Sequence, residues 1–308
     1  MKDNIMKLKI LSLAIWLSLN FSGFSHADLF NFKTSTFRPY QGDVVRIEMD
    51  KKKKVKILKN GKKVVLYATE GDFKVKVFGK EYLPVNFKNK LVIFIGVDYQ
   101  KKPGSYPLEV IVKQNNSSFR LPVMKLTVRK KYPKLNHQPP KRTKEEQEKI
   151  NEESEKLNEV LKSACSYQVK ESSGFRWPIA RIKITSPFGQ RRCQSRDNCR
   201  YHTGTDFRSA FDEKHSKPEN VFPINNGLVV EVSSYTLEGI TMVVDHGAGI
   251  KSSYFHLSKA YYKKGDIVSK TKPIARSGAT GTDAVHLHLM VTIHGDTVDP
   301  EKFLRSVK

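Results

Sequence analysis

Residues 285–293 alternate without a break. Val285, Leu287, Leu289, Val291 and Ile293 share one face, and His286, His288, Met290 and Thr292 share the other. A period of two predicts a strand with an apolar face on the core and both histidines on one side of a sheet. Short strand-like runs fill residues 44–128: Val44–Met49, Val55–Leu58, Lys63–Tyr67, Phe73–Phe78, Leu91–Val97, Tyr106–Val112 and Phe119–Val128. Asn60-Gly61 is a type I′ hairpin signal, and Pro103-Gly104 marks another turn. Strands at this spacing predict an immunoglobulin-like sandwich over residues 28–131. Further on, Asn226–Val232 and Thr241–Asp245 read as paired strands. The fold class is mainly all-β.

One segment departs from period two. Thr143 and Glu146 form a capping box, and Ile150, Leu157 and Leu161 recur at helical spacing. They predict a helix from Thr143 to Ser163 with a narrow apolar stripe. Such a helix either holds two domains in register or lies over a groove. It follows a linker rich in proline and lysine, Pro133 to Pro140.

Composition places the chain. Its 308 residues leave room for two folded domains, and three cysteines are too few for a disulfide scaffold. Residues 1–27 read as a secretory signal peptide: Lys2, Lys7 and Lys9, an apolar run from Ile10 to Leu19, then Ser25-His26-Ala27. That run is too short for a membrane span, so no stable span remains after cleavage; an uncleaved anchor is the alternative. The expected location is secreted, in the periplasm, cell wall or exterior. A net charge of +24 implies attraction to polyanions. Export excludes nucleic acid as the partner and leaves anionic cell-wall polymers. In an oxidising compartment Cys193 and Cys199 are close enough in sequence to pair, leaving Cys165 free or competing.

Chemistry gathers in the last third. Seven of nine histidines lie between His202 and His294. Tyr201-His202-Thr203-Gly204-Thr205-Asp206 brings a histidine and a carboxylate to either side of a glycine turn, and Tyr254-Phe255-His256-Leu257 precedes His286-Leu287-His288. Histidine nitrogens and one carboxylate can hold zinc in a three-ligand site with an open fourth position. Three histidines carry no assigned role: His246 reads as a turn residue, His215 and His294 as surface.

These residues carry a resemblance. Arg200–Asp206, Val244-Asp245-His246-Gly247, Tyr254–Leu257, Ser277-Gly278-Ala279-Thr280-Gly281 and His286–His288, with Ser186-Pro187-Phe188-Gly189 upstream, are similar to the ordered motifs of the LytM/lysostaphin-type zinc endopeptidases. The resemblance covers roughly 177–300. It implies a small antiparallel β domain with a central groove over residues 172–308, with 132–171 as the linker. It implies one Zn²⁺ per chain held by His202, Asp206 and His288, with His256 and His286 as unligated catalytic histidines, either of them the general base. The implied activity is hydrolysis of peptidoglycan stem or cross-link peptide bonds, by attack of a zinc-activated water on the scissile carbonyl. The alternative is a catalytically silent wall-binding activator of another hydrolase. Pro223-Ile224-Asn225-Asn226, after an insertion through Asp212 to Asn220, departs from the family pattern and leaves the groove rim, and so the bond cut, open.

Overall fold

The computed structural model describes residues 33–50, 54–59, 62–67, 73–87, 90–114, 117–120, 124–131, 142–167, 174–180, 182–193, 199–209 and 217–307. The expected signal peptide, the Asn60-Gly61 turn, the linker 133–140 and His215 lie outside them. Strands dominate, and the described helices are two: α1 (Lys144–Lys162) and α2 (Pro300–Ser306).

In the N-terminal part, Val44–Asp50 pairs with Lys90–Gly96 through seven register positions and buries Val45, Ile47, Ile93 and Ile95 between them. Lys33–Thr34 and Val85–Phe87 complete this sheet. A second sheet is built on the long strand Gly104–Gln114, which pairs with Phe73–Val77, and that strand in turn with Lys80–Tyr82. The run expected as one strand over Phe119–Val128 is two. Ser117–Arg120 pairs with the end of Gly104–Gln114 and Met124–Val128 with its beginning. The immunoglobulin-like order remains an expectation from strand spacing.

The C-terminal sheet is antiparallel throughout. Its order is Ile182–Ser186, Thr205–Ser209, Leu287–Ile293, Ile250–Ala260, Gly239–Asp245, Gly227–Tyr235 and Ile267–Val268. The alternation in the His288 strand is realised: Leu287, Leu289, Val291 and Ile293 are all fully buried in the main core. That core is continuous across the two parts, from Val45 and Ile95 to Leu289 and Phe303. Phe94, Phe175 and Phe303 pack edge to face at its centre, with centroids 4.9 to 6.4 Å apart. Lys80 bridges to Asp296 at 2.6 Å, and the Arg46 guanidinium donates to the Ser306 carbonyl at 2.7 Å. His294, read as a surface residue, is half-buried here, its ring 4.8 Å from that of Tyr82.

Helix α1 forms where the capping box predicts. Thr143 Oγ1 accepts from the Glu146 amide at 3.2 Å and the Glu146 carboxylate accepts from the Thr143 amide at 2.9 Å. Its apolar stripe packs on the sheet face that carries His288. Leu157 and Leu161 meet Val243, Phe255 and Met290 there. The helix C-terminus lands on Lys251, a fully buried lysine whose ammonium donates to the carbonyls of Val160, Leu161 and Ser163 and to Ser163 Oγ. A cation at this end offsets the helix dipole and satisfies carbonyls that lack partners in the helix. Just beyond, the Asp245 carboxylate accepts from the amides of Ser166 and Tyr167 at 2.6 and 3.2 Å. The helix thus lies against the sheet face that carries His288.

Candidate metal centre

The five chemistry-bearing residues of the sequence converge. Asp206, on Thr205–Ser209, stands opposite His288 in register. His202 enters from a short ribbon, Arg191–Cys193 against Cys199–Tyr201, whose backbone sets Cys193 opposite Cys199. Its amide donates to the Gln190 carbonyl at 2.8 Å. Gly204 makes the close approach possible: a Cβ there would lie 2.3 Å from the Leu289 carbonyl oxygen and 2.4 Å from His288 Nε2. Only hydrogen fits in that space.

Three donor atoms form a nearly equilateral triangle. His202 Nε2 lies 3.0 Å from Asp206 Oδ1 and 3.0 Å from His288 Nδ1, and the third side is 2.9 Å. His202 Nδ1 is 3.0 Å from the Pro187 carbonyl, which only accepts, so we assign the proton to Nδ1 and a lone pair to Nε2. A lone pair facing a carboxylate oxygen at this distance calls for a cation between them. Tetrahedral zinc spaces its ligand atoms by about 3.3 Å, so the triangle needs to open only by tenths of an ångström. The residues therefore fit a zinc ion. Burial alone would raise the Asp206 carboxyl. The His202 and His288 imidazoles pressed against it together outweigh burial and hold it well below the usual carboxylate range. Burial, first of several causes, lowers His288 to about 4.

Two more imidazoles stand beside the triangle. His286 Nε2 is 3.7 Å from Asp206 Oδ1, and its Nδ1 is 2.7 Å from the Ala284 carbonyl. His256 donates from Nδ1 to the Thr280 carbonyl at 2.9 Å, and its ring centroid is 4.7 Å from that of His286. Both rings thus turn Nε2, with its lone pair, away from the backbone. His256 reaches this face through a bulge. The register of Ile250–Ala260 against Gly239–Asp245 shifts between Ile240 and Met242, and His256 has φ +58°. Regular alternation would send Phe255 and His256 to opposite faces, whereas both contact His288, at 5.2 and 5.9 Å between centroids. A left-handed histidine is a costly backbone state of the kind found at functional sites. Burial, then the charges of His288 and His286, lowers His256 to about 3, so it is neutral at ordinary pH.

Two neighbours went unmarked in the sequence. Phe255 wedges between Leu157 and Leu161 of α1 and the His288 ring. Arg192 donates to Ser186 Oγ at 3.2 Å and holds a guanidinium nitrogen 3.7 Å from Asp206 Oδ2. Nothing in the periodicity separates Arg192 from Arg191; a ribbon leading straight into His202 was the available signal.

The profile of peptidase family M23 matches residues 200–300, which hold all five of these residues. Residues 200–300 are a peptidase family M23 domain. Around the M23 domain, the peptidoglycan DD-endopeptidase ShyB of Vibrio cholerae serotype O1 is 31% identical over 131 residues, covering 41% of this chain and 29% of that protein. ShyA of the same organism is 32% identical over 130 residues, with the same coverages. The chain thus aligns with 29% of the length of these curated relatives. A Pseudomonas aeruginosa crystal structure assigned to peptidase M23 is similar at a TM-score of 0.57 and 23% identity, covering 76% of this chain and 88% of that one. Fold is shared well beyond the M23 domain; the chemistry rests on the site itself.

Proposed function

We propose that this chain is an exported zinc-dependent endopeptidase that hydrolyses peptide bonds of peptidoglycan stems or cross-links. The observation that carries this reading is the donor triangle of His202, Asp206 and His288 with two further imidazoles at its edge. The similarity of the M23 domain to two peptidoglycan DD-endopeptidases supports the substrate class.

In this reading His202 Nε2, Asp206 Oδ1 and His288 Nδ1 would hold one zinc ion. Bound there, zinc supplies a Lewis acid that acidifies water and polarises the scissile carbonyl. His202 is kept in the correct tautomer by the Pro187 carbonyl. His286 and His256 are kept in theirs by Ala284 and Thr280, with Nε2 free to take a proton from attacking water and return it to the leaving amine. Asp206 is the only anionic ligand, so the centre keeps a net positive charge. The presence of all three ligands and both imidazoles weighs against a silent activator.

The test is mass spectrometry of purified peptidoglycan fragments after incubation with the zinc-loaded chain, alongside metal analysis of variants. His202→Ala, Asp206→Ala and His288→Ala are expected to lose zinc and cleavage together. His256→Ala and His286→Ala are expected to keep zinc and lose turnover. Full zinc occupancy in any of the first three sinks the ligand assignment. The +24 charge supports docking on anionic wall polymers in the periplasm or wall; binding of the full chain to purified wall that does not weaken with salt would remove that role. Among the described residues no helix is long and apolar enough to cross a membrane.

A further inference from the structure

Arg192 places a cation one carboxylate away from the donor triangle. Asp206 turns Oδ1 to the triangle and Oδ2 toward Arg192, at 3.7 Å, beyond hydrogen-bond length. Among the described residues the guanidinium makes one hydrogen bond, to Ser186 Oγ, and over a third of its side chain is exposed. A guanidinium carries five N–H donors in a planar fork. At 3.7 Å the guanidinium pairs with the Asp206 charge without a hydrogen bond to it, and it keeps donors free at the edge of the site. The imidazoles beside the triangle turn Nδ1 to backbone carbonyls, whereas Arg192 offers a fixed cation at the edge of the site to an anionic group of a ligand.

We infer that Arg192 is the receptor for a free carboxylate borne by the substrate within one residue of the scissile bond. This rests on the peptidase reading above. Where the residue supplying the scissile nitrogen ends its chain, the carbon on that nitrogen carries such a carboxylate. Arginine binds carboxylates through two parallel N–H bonds, which fixes orientation as well as affinity. Arg192 then selects peptides with a free acid next to the cut and disfavours their amides. It has no part in moving protons.

The experiment compares an acylated D-Ala-D-Ala peptide ending in a free acid with the same peptide ending in an amide. Zinc-loaded full-length chain, Arg192→Gln and Arg192→Lys are assayed after equal zinc content is verified. Loss of a hydrogen-bonded charge pair corresponds to roughly 10- to 150-fold. The wild type is expected to prefer the acid by about that factor. Arg192→Gln should lose it on the acid, mainly in KM, while its rate on the amide stays within about threefold, and Arg192→Lys should fall between. Calorimetric binding of both peptides to the chelated, metal-free chain gives a readout free of catalysis and of direct carboxylate–zinc contact. There the wild type should favour the acid and Arg192→Gln should not. Equal losses on acid and amide, or no wild-type preference in binding, overturns the inference while cleavage of wall leaves the peptidase reading intact. Arg192-dependent binding without any cleavage supports the inference as a carboxylate site and overturns the peptidase reading.

Discussion

Replacing Lys251 by methionine should loosen α1 from the sheet. The methionine keeps most of the volume of the stem and removes the ammonium. In the native structure the three N–H bonds of Lys251 are shared among four acceptors at the end of α1: the carbonyls of Val160 at 3.0 Å and Leu161 at 3.3 Å, and the carbonyl and hydroxyl of Ser163. Lys251 is 2% exposed, so water does not readily replace the lost donors. A hydrogen bond to a charged group contributes about 1.5–3 kcal/mol, and breaking a buried charge arrangement on one side costs about 3–5 kcal/mol. Neighbouring Asp245 keeps three backbone donors, the amides of Ser166, Tyr167 and Gly247, so part of the loss is contained. We expect Lys251→Met to lower stability by about 3 kcal/mol, a large share of the 5–15 kcal/mol typical of folded domains. Urea unfolding of the full chain reads the global term, and amide exchange across 157–163 reads the helix end. A loss below about 1 kcal/mol, with wild-type exchange in that segment, refutes the capping role assigned to Lys251.

Two further outcomes can be checked the same way. Gly204→Ala must push the added methyl into the Leu289 carbonyl and the His288 ring, so zinc affinity should fall at least 10-fold, at the scale of outer contacts that orient ligands; unchanged zinc retention contradicts the close approach. His246, buried between the Asn226 carbonyl at 2.9 Å and Ser252 Oγ at 2.7 Å, is lowered by burial to about 4. Its unfolded value is about 6.5, so between these pH values only the unfolded chain takes up the proton, and stability is lost as pH falls, by about 3 kcal/mol in all. Urea midpoints of the chelated chain at pH 7 and pH 4.5 should show this slope, and His246→Gln should flatten it; an identical slope in the variant removes His246 as its source.

The parts legible in sequence share a cause: each is set by neighbours in the chain. The His288 strand follows from strict alternation, and α1 from Thr143 and Glu146, whose side chains and amides meet within one turn. His256 could be reached by resemblance alone, since period two gives Phe255 and His256 opposite faces and only a register shift reunites them. Arg192 and Phe255 gain their meaning from contacts with Asp206 and His288, which no local pattern encodes. The strands Lys80–Tyr82 and Val85–Phe87 are three residues each, too short for alternation to show. Where α1 docks is set by the lysine at 251 and a carboxylate at 245, far along the chain.

The contact between the two β parts bears on how such a molecule could search a polymer. Tyr99, from the N-terminal part, lies edge-on to Phe188 at 6.1 Å and to Tyr201 at 5.7 Å, and Tyr201 directly precedes His202. With the Phe94, Phe175 and Phe303 rings locked together behind it, swinging one part against the other would bring buried aromatic surface into water. Were the chain to dock on anionic wall as proposed, the docked surface would set the compass bearing of the site as well as its distance. The molecule would sample bonds by relocating as a whole, and cuts made from one foothold would fall at one offset and in one direction along the polymer.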